Sequence, residues 1–197
     1  GALAEDRRPL VNQRAALANE LKAVLKLYFP AVLEMRPAQM YADFVLRLLS
    51  HCATLEAAQL ADSEQLRDWL RGGTPRKVQA RIDVLKKAIP LTEDDVLIRT
   101  SARRVTALTH RLALLNDLIG DYEAEIASLV RQHDDYHIVS SLPASSDTTH
   151  ARMIAALGDD RSRYQSANEL QAAAGIAPLR IQSGRINVVT ARWACSG

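Results

Sequence analysis

"TEDDVLIRTSARRVTALTHRLALLNDLIGDYEAEIASLVRQ", residues 92–132, decides the fold. The stretch has no proline and only one glycine, Gly120. Val96, Val105, Leu108, Leu112, Leu115, Leu118, Ile119, Tyr122, Ile126 and Leu129 return mostly at three or four residues, the stripe of an amphipathic helix. Thr92 supplies a cap, and Glu93, Asp94 and Asp95 supply acids at the positive end of the helix dipole. The spacing therefore predicts one helix of roughly 40 residues, about 60 Å long at ~1.5 Å per residue. A stripe of that length needs a second long helix to cover it.

Residues 10–29 offer that partner. Leu10, Leu17, Leu21, Val24, Leu25 and Tyr28 keep the same spacing, and Pro30 ends the run. The expected core is thus an antiparallel, coiled-coil-like pair of long helices with shorter helices inserted between them. Those insertions are expected over 38–50, over 63–70 with Ser63 as cap and Gly72-Gly73 as close, and from Thr74-Pro75 to Ile89 before Pro90.

After His133 the texture changes. "DDYHIVSSLPASSDTTH" is a connector rich in Asp, Ser and Thr, and Asp147 or Thr148 can cap a helix that Gly158 closes. Ser166 caps "ANELQAAA" before Gly175, and "LRIQ" and "RINVV" then alternate around Ser183-Gly184 as a two-residue hairpin would. The fold class expected is mainly α: a helical, coiled-coil region over 1–133, followed over 134–197 by a small helical domain with a β-hairpin.

Composition narrows the function classes. The 197 residues are 48% hydrophobic, enough for a sizeable core, and no apolar run approaches the ~20 residues of a membrane span. Cys52 and Cys195 stand far apart without a pairing pattern, which fits a reducing, cytoplasmic setting. The net charge of +2 is small but unevenly placed. Residues 71–88 hold six bases (Arg71, Arg76, Lys77, Arg81, Lys86, Lys87) against one acid, Asp83, and 97–116 add Arg99, Arg103, Arg104 and Arg111 with none. Such stretches can face phosphates, or can be solvated helix faces balanced by Asp117, Asp121, Glu123 and Glu125.

Metal and cofactor chemistry finds little support. His51-Cys52 are adjacent and diverge on a helix, "DDYH" at 134–137 has no second cluster, and no P-loop or dinucleotide glycine pattern occurs. Asp159-Asp160 could bind magnesium only with carboxylates from other elements. Ser183 is the remaining candidate. It has no His or acid close in sequence to act as base, yet Arg180, Arg185 and Arg192 flank it and no acid follows Glu169. Cationic donors around a serine suit attack on a phosphodiester better than on an acyl group.

Several motifs carry a family resemblance. "SLP" (141–143), "AALGDDRSRYQSANELQAAAGIAP" (155–178), "QSG" (182–184) and "ARWAC" (191–195) resemble the C-terminal domain of insertion sequence one-ten family transposases, the bridge-RNA-guided recombinases. "LKLYFP" (25–30) is similar to that family's coiled-coil region. The resemblance implies a serine nucleophile at Ser183, within the family's Ser-Gly motif, that attacks DNA and becomes covalently linked to it. It further implies DNA and a guide RNA as partners, assembly with further copies through the long helices, and a nucleoid-associated bacterial setting. Magnesium is expected in an N-terminal DEDD domain with an RNase H fold, which these residues lack. The 197 residues are accordingly expected to be a fragment, inactive alone, with no cofactor of their own. One departure stands out: Ala144, Ser145, Ser146 and Asp147 occupy the family's glycine-rich turn. The competing reading is a non-catalytic helical oligomerisation or nucleic-acid-binding module in which Ser183 is only a turn residue.

Overall fold

The computed structural model describes residues 2–143, 146–158, 160–173, 177, 179–184 and 186–190. Two compact units divide the chain, one through Ala151 and one from Arg152, so the boundary falls inside a helix, Asp147–Leu157. The fold class is the expected one: mainly α, with one two-stranded antiparallel hairpin.

The long helix predicted from residues 92–132 is α7, Asp95–Arg131. Its cap is Asp94 rather than Thr92. The Asp94 carboxylate accepts from the backbone N–H groups of Val96 (2.9 Å) and Leu97 (3.0 Å), two orphan donors where a hydroxyl commonly serves one. Thr92 sits two residues before it, its hydroxyl accepting from the Asp94 N–H at 3.2 Å.

The partner is α1, Ala2–Tyr28. It starts eight residues before the periodic pattern and carries Pro9 inside it, forfeiting one backbone hydrogen bond. Tertiary contact holds those added turns: Ala4 is buried, and Arg7 pairs with Glu123 of α7. Further along, Arg14 donates to the Asn116 side chain at 3.1 Å and Arg104 to Glu20 at 2.8 Å, so the helices run antiparallel. Between these polar pairs lies the apolar seam of Leu17, Leu21, Val24 and Leu25 with Val105, Leu108, Leu112 and Leu115.

The insertion holds five helices where three were expected. Residues α3 (Asp43–His51), α5 (Ser63–Trp69) and α6 (Pro75–Lys87) answer to the predicted segments, while α2 (Ala31–Glu34) and α4 (Leu55–Leu60) are too short to show a period. α5 is capped by Asp62, not Ser63: its carboxylate accepts from the Glu64 N–H and the Gln65 side chain returns to the Asp62 N–H, a reciprocal pair. α6 opens as predicted, with the Thr74 hydroxyl accepting from the Lys77 N–H ahead of Pro75. The apolar faces of α3, α5 and α6 join the α1/α7 seam in one core through Phe44, Val45, Leu48, Leu49, Leu66 and Leu85.

Beyond α7 the first unit closes with α8 (Tyr136–Val139) and the start of α9 (Asp147–Leu157). The second unit contains the rest of α9, a 3-10 turn at Arg161–Arg163, α10 (Ala167–Ala173), and strands β1 (Leu179–Ser183) and β2 (Ile186–Thr190). The α9 stop falls at Gly158, whose φ of +68° ends the helix as expected. Ser166 caps α10 by accepting from the Glu169 N–H at 3.3 Å, and Glu169 accepts in return from the Gln165 N–H. The predicted α10 stop at Gly175 lies outside the described residues.

Candidate functional site

The hairpin brings the candidate serine to its tip. β1 and β2 pair in the register Leu179↔Thr190, Ile181↔Val188 and Ser183↔Ile186. Ser183 is therefore the last residue of β1, paired with Ile186, and the turn opens at Gly184 rather than at Ser183. The reason is conformational. Gly184 adopts φ +55° at the first central position, where two-residue hairpins demand a positive φ and glycine meets the demand without strain.

Ser183 is exposed, as are Gln182 and Gly184. A Cβ on Gly184 would meet nothing within 4 Å, so the space beside the serine is open. Arg180 lies on the same strand, three residues before the serine and opposite Val189. Arg185 and Arg192, the other two predicted phosphate contacts, lie outside the described residues. Val188 and Val189 alternate to opposite faces of the hairpin, and both are exposed (45% and 64%).

The acid in the departing turn has a structural partner. Asp147 accepts from Arg131 at the end of α7 (2.7 Å), receives the Tyr136 hydroxyl at 3.4 Å, and lies 3.4 Å from Nδ1 of the buried His150. The Tyr136 ring meets the His150 ring edge-on at 5.7 Å. Desolvation works to raise the Asp147 carboxyl, but the hydrogen bonds and charges of Arg131 and His150 outweigh it and hold it below the usual carboxylate range. Asp147 thus pins the first turn of α9 to the end of α7. Ser146, next to it, accepts from the Thr149 N–H at 3.4 Å, while Ala144 and Ser145 lie outside the described residues.

The other candidates resolve into local roles. Asp160 accepts from both the backbone and the hydroxyl of Ser162 (3.0 and 2.6 Å), which keeps its carboxyl below the usual range; Asp159 lies outside the described residues. His51 stacks on Trp69 at 4.7 Å, and burial raises the Cys52 thiol. His137 Nδ1 lies 2.8 Å from the Asp134 carbonyl. Among the described residues, no three His, Cys, Asp or Glu side chains are placed to hold a metal ion. No described helix is long and apolar enough to cross a membrane.

One cluster of cations is assembled from separate helices and matches no sequence motif. Arg47 of α3 donates to the carbonyls of Trp69 and Arg71 (3.2 and 2.6 Å), and Arg81 of α6 donates to those of Leu70 and Gly72 (2.8 Å each). The run of bases from 71 to 88 was its signal, but the contribution of Arg47, from a different helix, is tertiary.

Comparison with known proteins matches the C-terminal part of the chain to a family profile and most of the chain to individual relatives. Residues 136–197 match the profile described as Transposase IS116/IS110/IS902 family. Over 97% of its length the chain is similar, at 28% identity, to the protein assigned as transposase of the mini-circle IS117 in Streptomyces coelicolor, covering 48% of that protein. It is 30% identical over 93% of its length to the 44.8 kDa protein of insertion element IS116 from Streptomyces clavuligerus, covering 46% of it. A third relative, the 42 kDa protein of IS900 from Mycobacterium paratuberculosis, is 34% identical over 44% of the chain and 22% of its own length. The chain spans about half the length of the first two relatives. No solved structure matches it. Residues 136–197 thus belong to the IS116/IS110/IS902 transposase family, and the chain is similar to these insertion-element proteins along most of its length.

Proposed function

We propose that the chain is the helical and serine-bearing part of an insertion-element DNA recombinase, and that Ser183 is its nucleophile. The observation that carries this reading is the position of Ser183: an exposed hydroxyl at the mouth of a hairpin turn, beside an open glycine, inside the family-matched segment. In the step assigned to it, the Ser183 hydroxyl gives up its proton and its Oγ attacks a DNA phosphorus. A serine–phosphate bond forms, one phosphorus–oxygen bond of the DNA strand breaks, and the departing oxygen takes a proton. Arg180, Arg185 and Arg192 neutralise the added charge on the phosphate.

In this reading magnesium, implied by the resemblance, is held by another part of the full-length protein; among the described residues no three His, Cys, Asp or Glu side chains are placed to hold it. A guide RNA and further copies of the chain complete the assembly in this reading, because strand exchange needs more than one active site.

The test is covalent trapping. The full-length protein, its RNA and a labelled DNA substrate are mixed, denatured and resolved. An adduct present in the wild type and lost in Ser183→Ala supports the assignment; an adduct that survives that substitution refutes it.

A further inference from the structure

The recess between α3, α6 and the loop joining α5 to α6 encloses about 620 Å³ and is lined by Phe44, Arg47, Arg71, Gly72, Lys77 and Arg81, among others. We infer that it binds the phosphodiester backbone of a nucleic acid, as a site separate from the hairpin serine.

The charge in the recess is built in and is not cancelled. Arg47 and Arg81 donate to four neutral carbonyls of residues 69–72, which holds the two guanidiniums at one loop, and no carboxylate among the described residues is in ion-pair contact with either. Arg81 also sits over the Phe44 ring, its guanidinium carbon 3.6 Å from the centroid. Its guanidinium is pushed down by burial and by the neighbouring Arg47, the mark of two cations held together by the fold.

Lys77 stands one turn before Arg81 on the same face of α6, and no acid is within ion-pair reach of it among the described residues. Asp43 lines this recess and Glu34 the adjoining one, two acids against the five cations of the two linings, Arg36, Arg47, Arg71, Lys77 and Arg81. Arg71 keeps an exposed pair with Asp68.

The floor suits close approach. Gly72 and Gly73 hold φ of +130° and +94°, conformations side-chain-bearing residues rarely adopt, and a Cβ on Gly73 would meet the Lys77 stem at 3.2 Å. The cationic surface also continues beyond one phosphate. At ~100° per residue, Arg76, Lys77, Arg81 and Lys87 fall within a sector of ~140° on a helix ~20 Å long. Asp83, the acid of α6, falls ~20° outside that sector beside Arg76 and accepts from the Gln79 side chain at 2.9 Å. An extended polyanion therefore fits this face better than a single phosphate.

The experiment is a salt titration of binding by the 197-residue chain, read as fluorescence anisotropy of a short labelled DNA duplex and of a single-stranded RNA. Arg71→Ala with Lys77→Ala is compared with Arg99→Ala with Arg103→Ala, an equal charge change at exposed positions of α7. Both recess substitutions leave the carbonyl bonds of Arg47 and Arg81 intact, and far-UV circular dichroism checks that each variant folds. Counterion release predicts that the recess pair lowers the slope of log K against log salt by ~0.9 per lost contact on duplex, ~0.7 on single strands, while the α7 pair changes it by less than ~0.5. Equal losses in the two variants, an unchanged slope in the recess variant, or no binding of either probe by the wild type at low salt would each overturn the inference. None of these readouts involves Ser183, so the trapping experiment stands or fails separately.

Discussion

Leu112 and Leu114 are two residues apart on α7, and the fold treats them oppositely. Leu112 is fully buried in the α1/α7 seam, and Leu114 is 59% exposed. Leu112→Ala removes three carbon groups worth ~0.8 kcal/mol each, about 2.4 kcal/mol, and the unfilled space adds a cavity cost. A total of roughly 3–4 kcal/mol follows, because a long helix held on both flanks by ion pairs cannot easily collapse into the gap. Leu114→Ala removes the same atoms from water-facing surface and should stay within about 0.5 kcal/mol. Urea unfolding followed by far-UV circular dichroism measures both, and thermal midpoints should separate by roughly 6–16 °C. Comparable losses for the two leucines would refute the seam; a Leu114 loss that grows with protein concentration would instead place a second copy on that face.

Three further outcomes are expected. Thr74→Ala should cost ~1 kcal/mol in the same unfolding assay, since the Lys77 N–H loses its capping acceptor at the start of α6. Gly184→Ala should weaken the hairpin by ~1–2 kcal/mol through left-handed strain alone, seen as faster amide exchange at Ile181 and Val188. Asp147 is held below the ordinary carboxylate range, so its contribution is present above about pH 4 and is lost as pH falls through the lower folded value. Amide exchange in the first turn of α9 should therefore rise only in strong acid, and Asp147→Asn should raise it at neutral pH and flatten that acid limb.

The long elements were legible because they repeat. Val105, Leu108, Leu112, Leu115, Ile119 and Ile126 are buried as the period required, but Val96, Leu118 and Leu129 from the same list are exposed at 62%, 38% and 55%. A three-or-four spacing marks a stripe wider than the strip one partner helix covers, so its edges stay wet. The helices of four and six residues left no period to read. The hairpin was placed correctly and its turn one residue early, because alternation fixes strands while the pairing of Ser183 with Ile186 fixes the turn. The serine and its neighbours were visible as residue types. The recess was not, since Arg47 and Arg81 are 34 positions apart and meet only through the carbonyls of the loop between them.

The antiparallel seam also sets an order of events during synthesis. The pairs that stitch α1 to α7 join residues 84, 102 and 116 positions apart, and the contacts of α3 with α5 and of α5 with α6 are far more local. At ~5–20 residues per second, α1 waits roughly 5–20 s on the ribosome for its partner. Its apolar stripe stays uncovered over that interval while the inserted helices are already able to pack. Long-range closure of this kind slows folding, so mutations in the seam that leave equilibrium stability nearly intact should still lower the yield of folded chain.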